Sequence, residues 1–472
     1  MKVLGLVLVV ALCLSTSFSQ TPDMAVEIFS HGIRTPEATE YDPDGYWATT
    51  GYGELTAAGM RQQYILGAAF GELYGNLLYP YNASKLYIQS TQENRTLMSA
   101  LSQLYGIYNQ HGPNLADGYP ADIAIPPYTS DLVAQIVKNL EGNSASIPNN
   151  YQPLPIHSLE RAADFYLQSY LNCPNANDFW KKQTNDENVT KVYGELASTI
   201  ENLEKLNLKI ESMTDLDDLG DTVVADYRNQ ITLPGGLDPK SQDFADVQFW
   251  TQWYEIYPTL NLPIQRQLFS GPILNNILQM FQQKRAGSTP VNFAFYAGKE
   301  TMLATILSAL NITTPECLLE NWRAQKAGKD VPNKNCNYPI FASSLIFEFY
   351  NDTAKPYVMF KYNGAAMPIC NGETTCALTD FSTYIKNITN GYDLNNFKQW
   401  CNANQTKSMG APKSQIPSGY KFTNVDIALL GIIAVLLVSL VVFAFKARNV
   451  KEEEETENDN GNYTPIQLKV DA

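Results

Sequence analysis

The sequence predicts an α/β fold carrying an inserted helical cap. Two observations lead there. Short apolar runs alternate with helix-patterned segments near both ends of the chain, and a long polar, helix-biased stretch (158–270) separates the two regions. The 472 residues supply enough material for a large core, and the 44% apolar fraction excludes wholesale disorder.

The elements follow in order. Residues 24–29 read as a short buried strand, and 30–36 as a turn-rich loop. Residues 51–78 begin Gly-Tyr-Gly-Glu-Leu-Thr and continue as a helix. Residues 85–89 alternate like a strand. The helix expected over 95–108 places Leu97, Ala100, Leu101 and Leu104 on one face. The middle stretch has loops such as Leu233-Pro-Gly-Gly-Leu. A helix over 273–284, a strand over 291–296 and a helix over 301–310 follow. Residues 342–351 and 357–362 read as a strand pair around Asn351-Asp-Thr-Ala.

Two apolar blocks stand outside this pattern. The first, within 1–19, has Lys2, an apolar run over 3–14 and Ser17-Phe18-Ser19, which reads as a cleavable signal peptide. The second, 426–445, contains an uncharged run over 427–445, long enough to span a bilayer. Lys446, Arg448 and Lys451 follow it and put the C-terminus in the cytosol. The expected arrangement is a single-pass type I protein of the plasma or endolysosomal membrane. A linker (406–425) precedes the span, and an acidic cytosolic tail (446–472) follows. Tyr463-Thr464-Pro465-Ile466 in the tail resembles a tyrosine-based sorting signal, which implies an adaptor partner.

Cys13 leaves with the signal. The six remaining cysteines read as three disulfides, with fifteen pairings open from the residues alone. Sequons at Asn82, Asn94, Asn188, Asn311, Asn351, Asn387 and Asn404 fit a glycosylated lumenal or extracellular domain. The net charge of −15 excludes a chain built to grip nucleic acid by its phosphates. Three histidines (31, 111 and 157) and no C-x-x-C pair disfavour a metal centre, and no cofactor is implied.

Three segments fall where strands give way to loops or helices. They are Ser30-His31-Gly32-Ile33-Arg34-Thr35-Pro36, then Gln89-Ser90-Thr91-Gln92-Glu93-Asn94-Arg95-Thr96-Leu97-Met98-Ser99-Ala100, then Phe295-Tyr296-Ala297-Gly298-Lys299-Glu300-Thr301. Ligands of open α/β sheets bind at such carboxyl ends. Together the segments resemble the histidine acid phosphatase family, the capped branch of the histidine phosphatase superfamily. The first resembles its R-H-G-x-R-x-P signature, and the second its S-T-x-x-x-R-T-x-x-S-A block. The third falls where the family has a His-Asp pair. The likeness runs from about residue 24 to 401 and takes in Gly51-Tyr-Gly-Glu-Leu-Thr, Pro155-Ile156-His157, and Cys370 with Cys376.

The resemblance implies a phosphoglycerate-mutase-like three-layer core with a mixed, mostly parallel sheet. The core would comprise 20–157 and 271–405, with 158–270 as cap. It implies hydrolysis of phosphate monoesters through a phosphohistidine on His31. Arg34 and Arg95 would hold the transferring phosphoryl group, and Glu300 would be the proton donor. It also implies Cys370–Cys376 and Cys173–Cys401, with Cys317–Cys336 as the remaining pair, and a homodimer. Ser344 stands where a family cysteine is expected. His157 is read as structural or at the site rim, and His111 as a loop residue. The Asn94 sequon, beside the clamp, is read as unused.

Two positions depart from the family pattern. Ser30 replaces the arginine before the nucleophile, and Lys299 the histidine before the acid. Losing one guanidinium costs on the order of 2–4 kcal/mol of transition-state stabilisation. Lys299 restores a positive charge without the planar fork, and is expected to favour ionised Glu300. The alternative to a weakened or altered phosphatase is an inactive ectodomain that serves as a binding or receptor protein.

Overall fold

The computed structural model describes residues 21–408 apart from Pro43, Thr129 and Glu141. The signal peptide, the membrane span, the tail with Tyr463 and all but the first residues of the linker lie outside the described residues. Among the described residues no helix is long and apolar enough to cross a membrane.

An eight-stranded mixed sheet is the centre of the fold. Its order is β3-β2-β4-β1-β5-β6-β7, with β8 paired to β6. The strands are β1 (Met24–Ser30), β2 (Leu86–Ser90), β3 (His157–Ser158), β4 (Phe293–Gly298), β5 (Ser344–Tyr350), β6 (Tyr357–Tyr362), β7 (Ala365–Met367) and β8 (Thr375–Ala377). The pairs β2–β3, β2–β4 and β1–β4 are parallel. The pairs β1–β5, β5–β6, β6–β7 and β6–β8 are antiparallel. The expectation of a mostly parallel sheet is thereby corrected. The late strands follow one another through short turns, which only antiparallel neighbours permit.

Side-chain alternation builds a layer on each face. Ala25 and Phe29 of β1, with Phe293 and Phe295 of β4, face α1 (Ala57–Leu73) and α2 (Asn94–Tyr108). Val26 and Ile28, with Ala294 and Tyr296, face the opposite layer. That layer is α9 (Pro263–Arg285), α10 (Glu300–Ala309) and α12 (Leu378–Ile388). Between α2 and β3 lies α3 (Asp131–Leu140), which buries none of its residues.

The middle stretch gathers α4 (Asn177–Thr184), α5 (Glu187–Gly194), α6 (Ala197–Lys205), α7 (Met213–Asn229) and α8 (Gln242–Leu260) on a second core around Trp250 and Trp253. The same core takes in α11 (Pro315–Lys326), through Leu318 and Trp322, and Cys401 of α13 (Leu394–Ser408). Disulfides join Cys173 to Cys401, Cys317 to Cys336 and Cys370 to Cys376.

Two local expectations are corrected. The helix begun at residue 273 starts ten residues earlier, at Pro263, where proline at the first turn suits a helix start. It passes through Pro272 and through the boundary expected at 270. In α2, Leu101 is 48% exposed, and the buried face carries Thr96, Ser99, Ala100, Gln103, Leu104 and Ile107. Gln103 goes inward because its amide donates to Glu27 of the buried β1 strand (2.7 Å).

Candidate active site

Three strands end at one level, and each delivers one segment. Ser30 pairs with Gly298 across β1–β4, and Ser90 with Ala297 across β2–β4. The His31 N–H donates to the Gly298 carbonyl (3.2 Å), and the His31 carbonyl accepts from Ala342 (2.8 Å). The loop beyond is fastened to both helices of the α1–α2 layer. Gly32 N–H donates to Ser99 Oγ (3.1 Å) and Ile33 N–H to Gln62 Oε1 (3.0 Å). Gly32 lies against the Gly59 backbone so closely that a Cβ on it would collide with the Gly59 carbonyl oxygen. The Gly in this motif is therefore a packing requirement for seating His31.

His31 is 1% exposed. Its Nδ1 lies 2.9 Å from the Gly32 carbonyl oxygen. A carbonyl can only accept, so Nδ1 carries a proton, and Nε2 is the nitrogen left to act. Nε2 is 3.3 Å from Glu300 Oε2. Glu300 opens α10 at its N-terminus. Burial pushes its pKa up, but the charge and hydrogen bond of His31 and the charge of Arg34 outweigh this and bring it down to about 2. Lys299 is not the cause, contrary to expectation. Its ammonium points elsewhere, to Glu93 Oε1 at 3.0 Å.

Every cation near His31 is held by a carboxylate. The Arg34 guanidinium meets Asp221 of α7 through both terminal nitrogens (2.6 and 3.3 Å). Arg95 donates to the Gly53 carbonyl (3.1 Å) and pairs with Glu37 (2.7 Å) and Glu93 (3.4 Å). The Nε atoms of Arg34 and Arg95 are buried and have no hydrogen-bond partner. Partial desolvation pushes the pKa of Glu37 up, but Arg34, Arg95 and Lys299 outweigh this and bring it down. Ser30 contributes nothing here. Its hydroxyl donates to the Ile340 carbonyl (2.8 Å) and accepts from Ser343 N–H (2.9 Å).

His31, the three cations, Glu37, Asp221 and Glu300 line a cavity of about 560 Å³ that extends under the helical layer. It holds His31, Arg34, Arg95, Lys299 and Glu300 together. His157 and His111 do not line it. His157 stacks on Tyr87 at the sheet edge, and His111 on Tyr79. Sequence reasoning missed Glu37, Glu93, Asp221 and Phe341, whose ring lies 5.8 Å from that of His31 and 5.6 Å from the Arg34 guanidinium carbon. Glu37 and Glu93 stand beside the two motifs and could have been found as partners of their arginines. Asp221 had no local signal. Among the sequons, Asn82, Asn188, Asn311 and Asn387 are exposed, while Asn351 accepts from Arg285 (2.7 Å). Asn94 donates to Glu54 (2.9 Å), and the Asn404 side chain lies outside the description.

Residues 17–363 match the profile of the histidine phosphatase superfamily (branch 2). Human testicular acid phosphatase is 25% identical over 296 residues, 60% of this chain and 62% of that protein. The chain thus spans somewhat less than two thirds of the human protein. Lysosomal acid phosphatase of Xenopus laevis is 23% identical over 415 residues, 82% of each chain. The Hafnia alvei phytase in complex with tartrate superposes with a TM-score of 0.53 at 14% identity, covering 78% of this chain and 96% of that one. That likeness concerns the fold alone.

Proposed function

Because the chain belongs to branch 2 of the histidine phosphatase superfamily, we propose that it hydrolyses phosphate monoesters with His31 as nucleophile and Glu300 as proton donor. One observation carries this reading. A buried imidazole with its Nδ1 committed to a carbonyl presents Nε2 to a carboxyl group 3.3 Å away, both lining the cavity that Arg34 and Arg95 also line.

The chemistry balances on one proton. In the competent form Nε2 bears a lone pair and Glu300 bears the proton. Nε2 attacks phosphorus, the bond to the leaving oxygen breaks, and Glu300 protonates that oxygen to give the alcohol. Glu300, now a carboxylate, takes a proton from water as the water attacks phosphorus. The phosphorus–nitrogen bond breaks, phosphate leaves, and Glu300 is protonated again. Arg34 and Arg95 stabilise the charge that builds on the equatorial oxygens. Lys299 adds a point charge beside them through its place next to Glu93.

The second reading, a ligand-binding ectodomain without turnover, is favoured by one observation: Asp221, Glu37 and Glu93 already occupy the clamp cations. The full chain assayed with an aryl phosphate from acid to neutral pH, beside His31→Ala, separates the two. Turnover well above the variant, with an acid-labile phosphate trapped on His31, is expected. Turnover equal to the variant at every pH refutes the enzyme reading. We place the domain in a lumenal or extracellular compartment, anchored by a single span. The three disulfides and the exposed sequons support that placement.

A further inference from the structure

The cavity is unusual for an anion site in the sign of its walls. Its lining carries six carboxylates (Glu37, Asp217, Asp218, Asp221, Glu255 and Glu300) against five cations. Of those cations, Arg34, Arg95 and Lys299 are each in an ion pair. Arg161 is exposed, and Arg228 lies over the Tyr227 ring. The seat for a phosphate is nonetheless marked. Arg95, 9% exposed, and Arg34 both keep a buried Nε without a hydrogen-bond partner beside His31.

The acidic groups abut that seat directly. Asp221 holds Arg34, and Asp217 and Asp218 are its neighbours on the same helix. Glu255 of α8 reaches Thr301, the residue after Glu300, and the Tyr338 hydroxyl. Asp217 is held well above the ordinary carboxylate range, first by burial and then by Glu255, Asp221 and Asp218. Asp221 is paired with Arg34, whereas Asp217, Asp218 and Glu255 form no ion pair among the described residues. Tyr254 and Phe341 complete this wall with aromatic faces.

We propose that the leaving group of the substrate carries a positive charge: the site takes the phosphate ester of an amino or quaternary-ammonium alcohol, with phosphate at Arg34 and Arg95 and the cation against Asp217, Asp218, Asp221 and Glu255. This rests on the phosphate-site reading above. A bare phosphate dianion seated on Arg34 and Arg95, both already paired, adds negative charge beside these carboxyl groups. A zwitterionic ester brings its own compensation. Carboxylates and aromatic faces are the groups that recognise an ammonium. A substrate with many phosphates meets like charge on this wall.

The test compares phosphocholine with 3,3-dimethylbutyl phosphate, its uncharged isostere. Binding to the full chain carrying His31→Ala is measured by calorimetry. The same ratio is read as competitive inhibition of the unsubstituted chain, which guards against misfolding of the variant. Phosphocholine should bind about fivefold tighter or more, as for one partly solvated charge pair. Asp218→Asn and Glu255→Gln should each move the ratio toward one. Inorganic phosphate binding without preference between the two esters overturns this inference and leaves the phosphate site standing. So does tighter binding of myo-inositol hexakisphosphate than of phosphocholine. Absence of binding by inorganic phosphate overturns both.

Discussion

Glu27 is fully buried in β1, four residues before His31. Burial raises its pKa from 4.5 to about 8, although Ser344 and Gln103 hydrogen bonds pull the other way. The native state therefore holds a proton that the unfolded chain releases above about pH 4.5. The contribution is fully present below that pH and is lost as pH rises toward 8. At 1.36 kcal/mol per unit, the shift corresponds to roughly 3–5 kcal/mol across that window. Gln103 offers the acceptor that a protonated Glu27 needs. Its Oε1 is buried without a partner, and a half-turn of the amide brings it opposite the Glu27 hydroxyl.

The perturbation is Glu27→Gln, followed by urea unfolding from pH 4.5 to 8. The parent protein should lose stability steadily over this range. Asp164 and Asp226, each raised by burial to about 6, contribute in the same direction but only at the acid end. The variant should therefore keep the loss up to about pH 6 and lose distinctly less than the parent between 6 and 8, where Asp217, also held well above the ordinary range by burial, still contributes. A parent that gains stability above pH 6, or a variant with the parent's slope there, refutes the reasoning.

Three other outcomes follow from the site. Asp221→Asn frees the Arg34 fork, so inorganic phosphate should inhibit turnover about three- to tenfold more strongly, at a cost of about 1 kcal/mol in unfolding stability. Unchanged inhibition would mean that the carboxylate does not compete with phosphate. Gly32→Ala drives a methyl into the Gly59 backbone; a destabilisation of about 1–3 kcal/mol and a loss of about 10² in kcat should be seen together. Ser30→Arg forces a guanidinium into a fully buried position between Ile340 and Ser343; it should lower the unfolding free energy by roughly 3–5 kcal/mol and restore no activity, and a stable variant with faster turnover would contradict this.

The strands and the three segments they deliver were legible because each apolar run ends at its motif. Register then follows from β-pairing of strands buried on both faces, such as β1. The face of α2 was misread because a 3.6-residue period fits more than one stripe. The choice was made by Gln103 and Glu27, a polar pair in the core that hydrophobic patterning ignores. The clamp's partners were legible in proportion to their sequence distance. Glu37 and Glu93 lie next to Arg34 and Arg95, whereas Asp221 is 187 residues from Arg34. Only the docking of α7 on the loop after β1 brings it there, and no local pattern encodes that docking. The family likeness named Arg34, Arg95 and Lys299 but carried no information on the acids that pair with them.

Whether the site turns over depends on one proton shared by His31 and Glu300. Burial pushes the Glu300 pKa up, but the charge and hydrogen bond of His31 and the charge of Arg34 bring it from 4.5 down to about 2, so placing the proton on Glu300 costs roughly 3 kcal/mol more than on a free carboxyl. An enzyme lowers its barrier by about 8–23 kcal/mol, so that penalty alone does not silence the site. It does fix the shape of the pH profile. Adding a second proton blocks Nε2, and removing the shared one leaves no acid. The parent kcat should therefore fall on both sides of an optimum. In Glu300→Gln no carboxyl supplies the leaving-group proton. With an aryl phosphate whose leaving group departs unaided, the residual rate should lose its alkaline limb. With an alkyl phosphate it should fall by about 10²–10⁴ at every pH. If the variant keeps the alkaline limb with the aryl ester, Glu300 is not the group that loses the proton, and the donor must be sought elsewhere in the cavity.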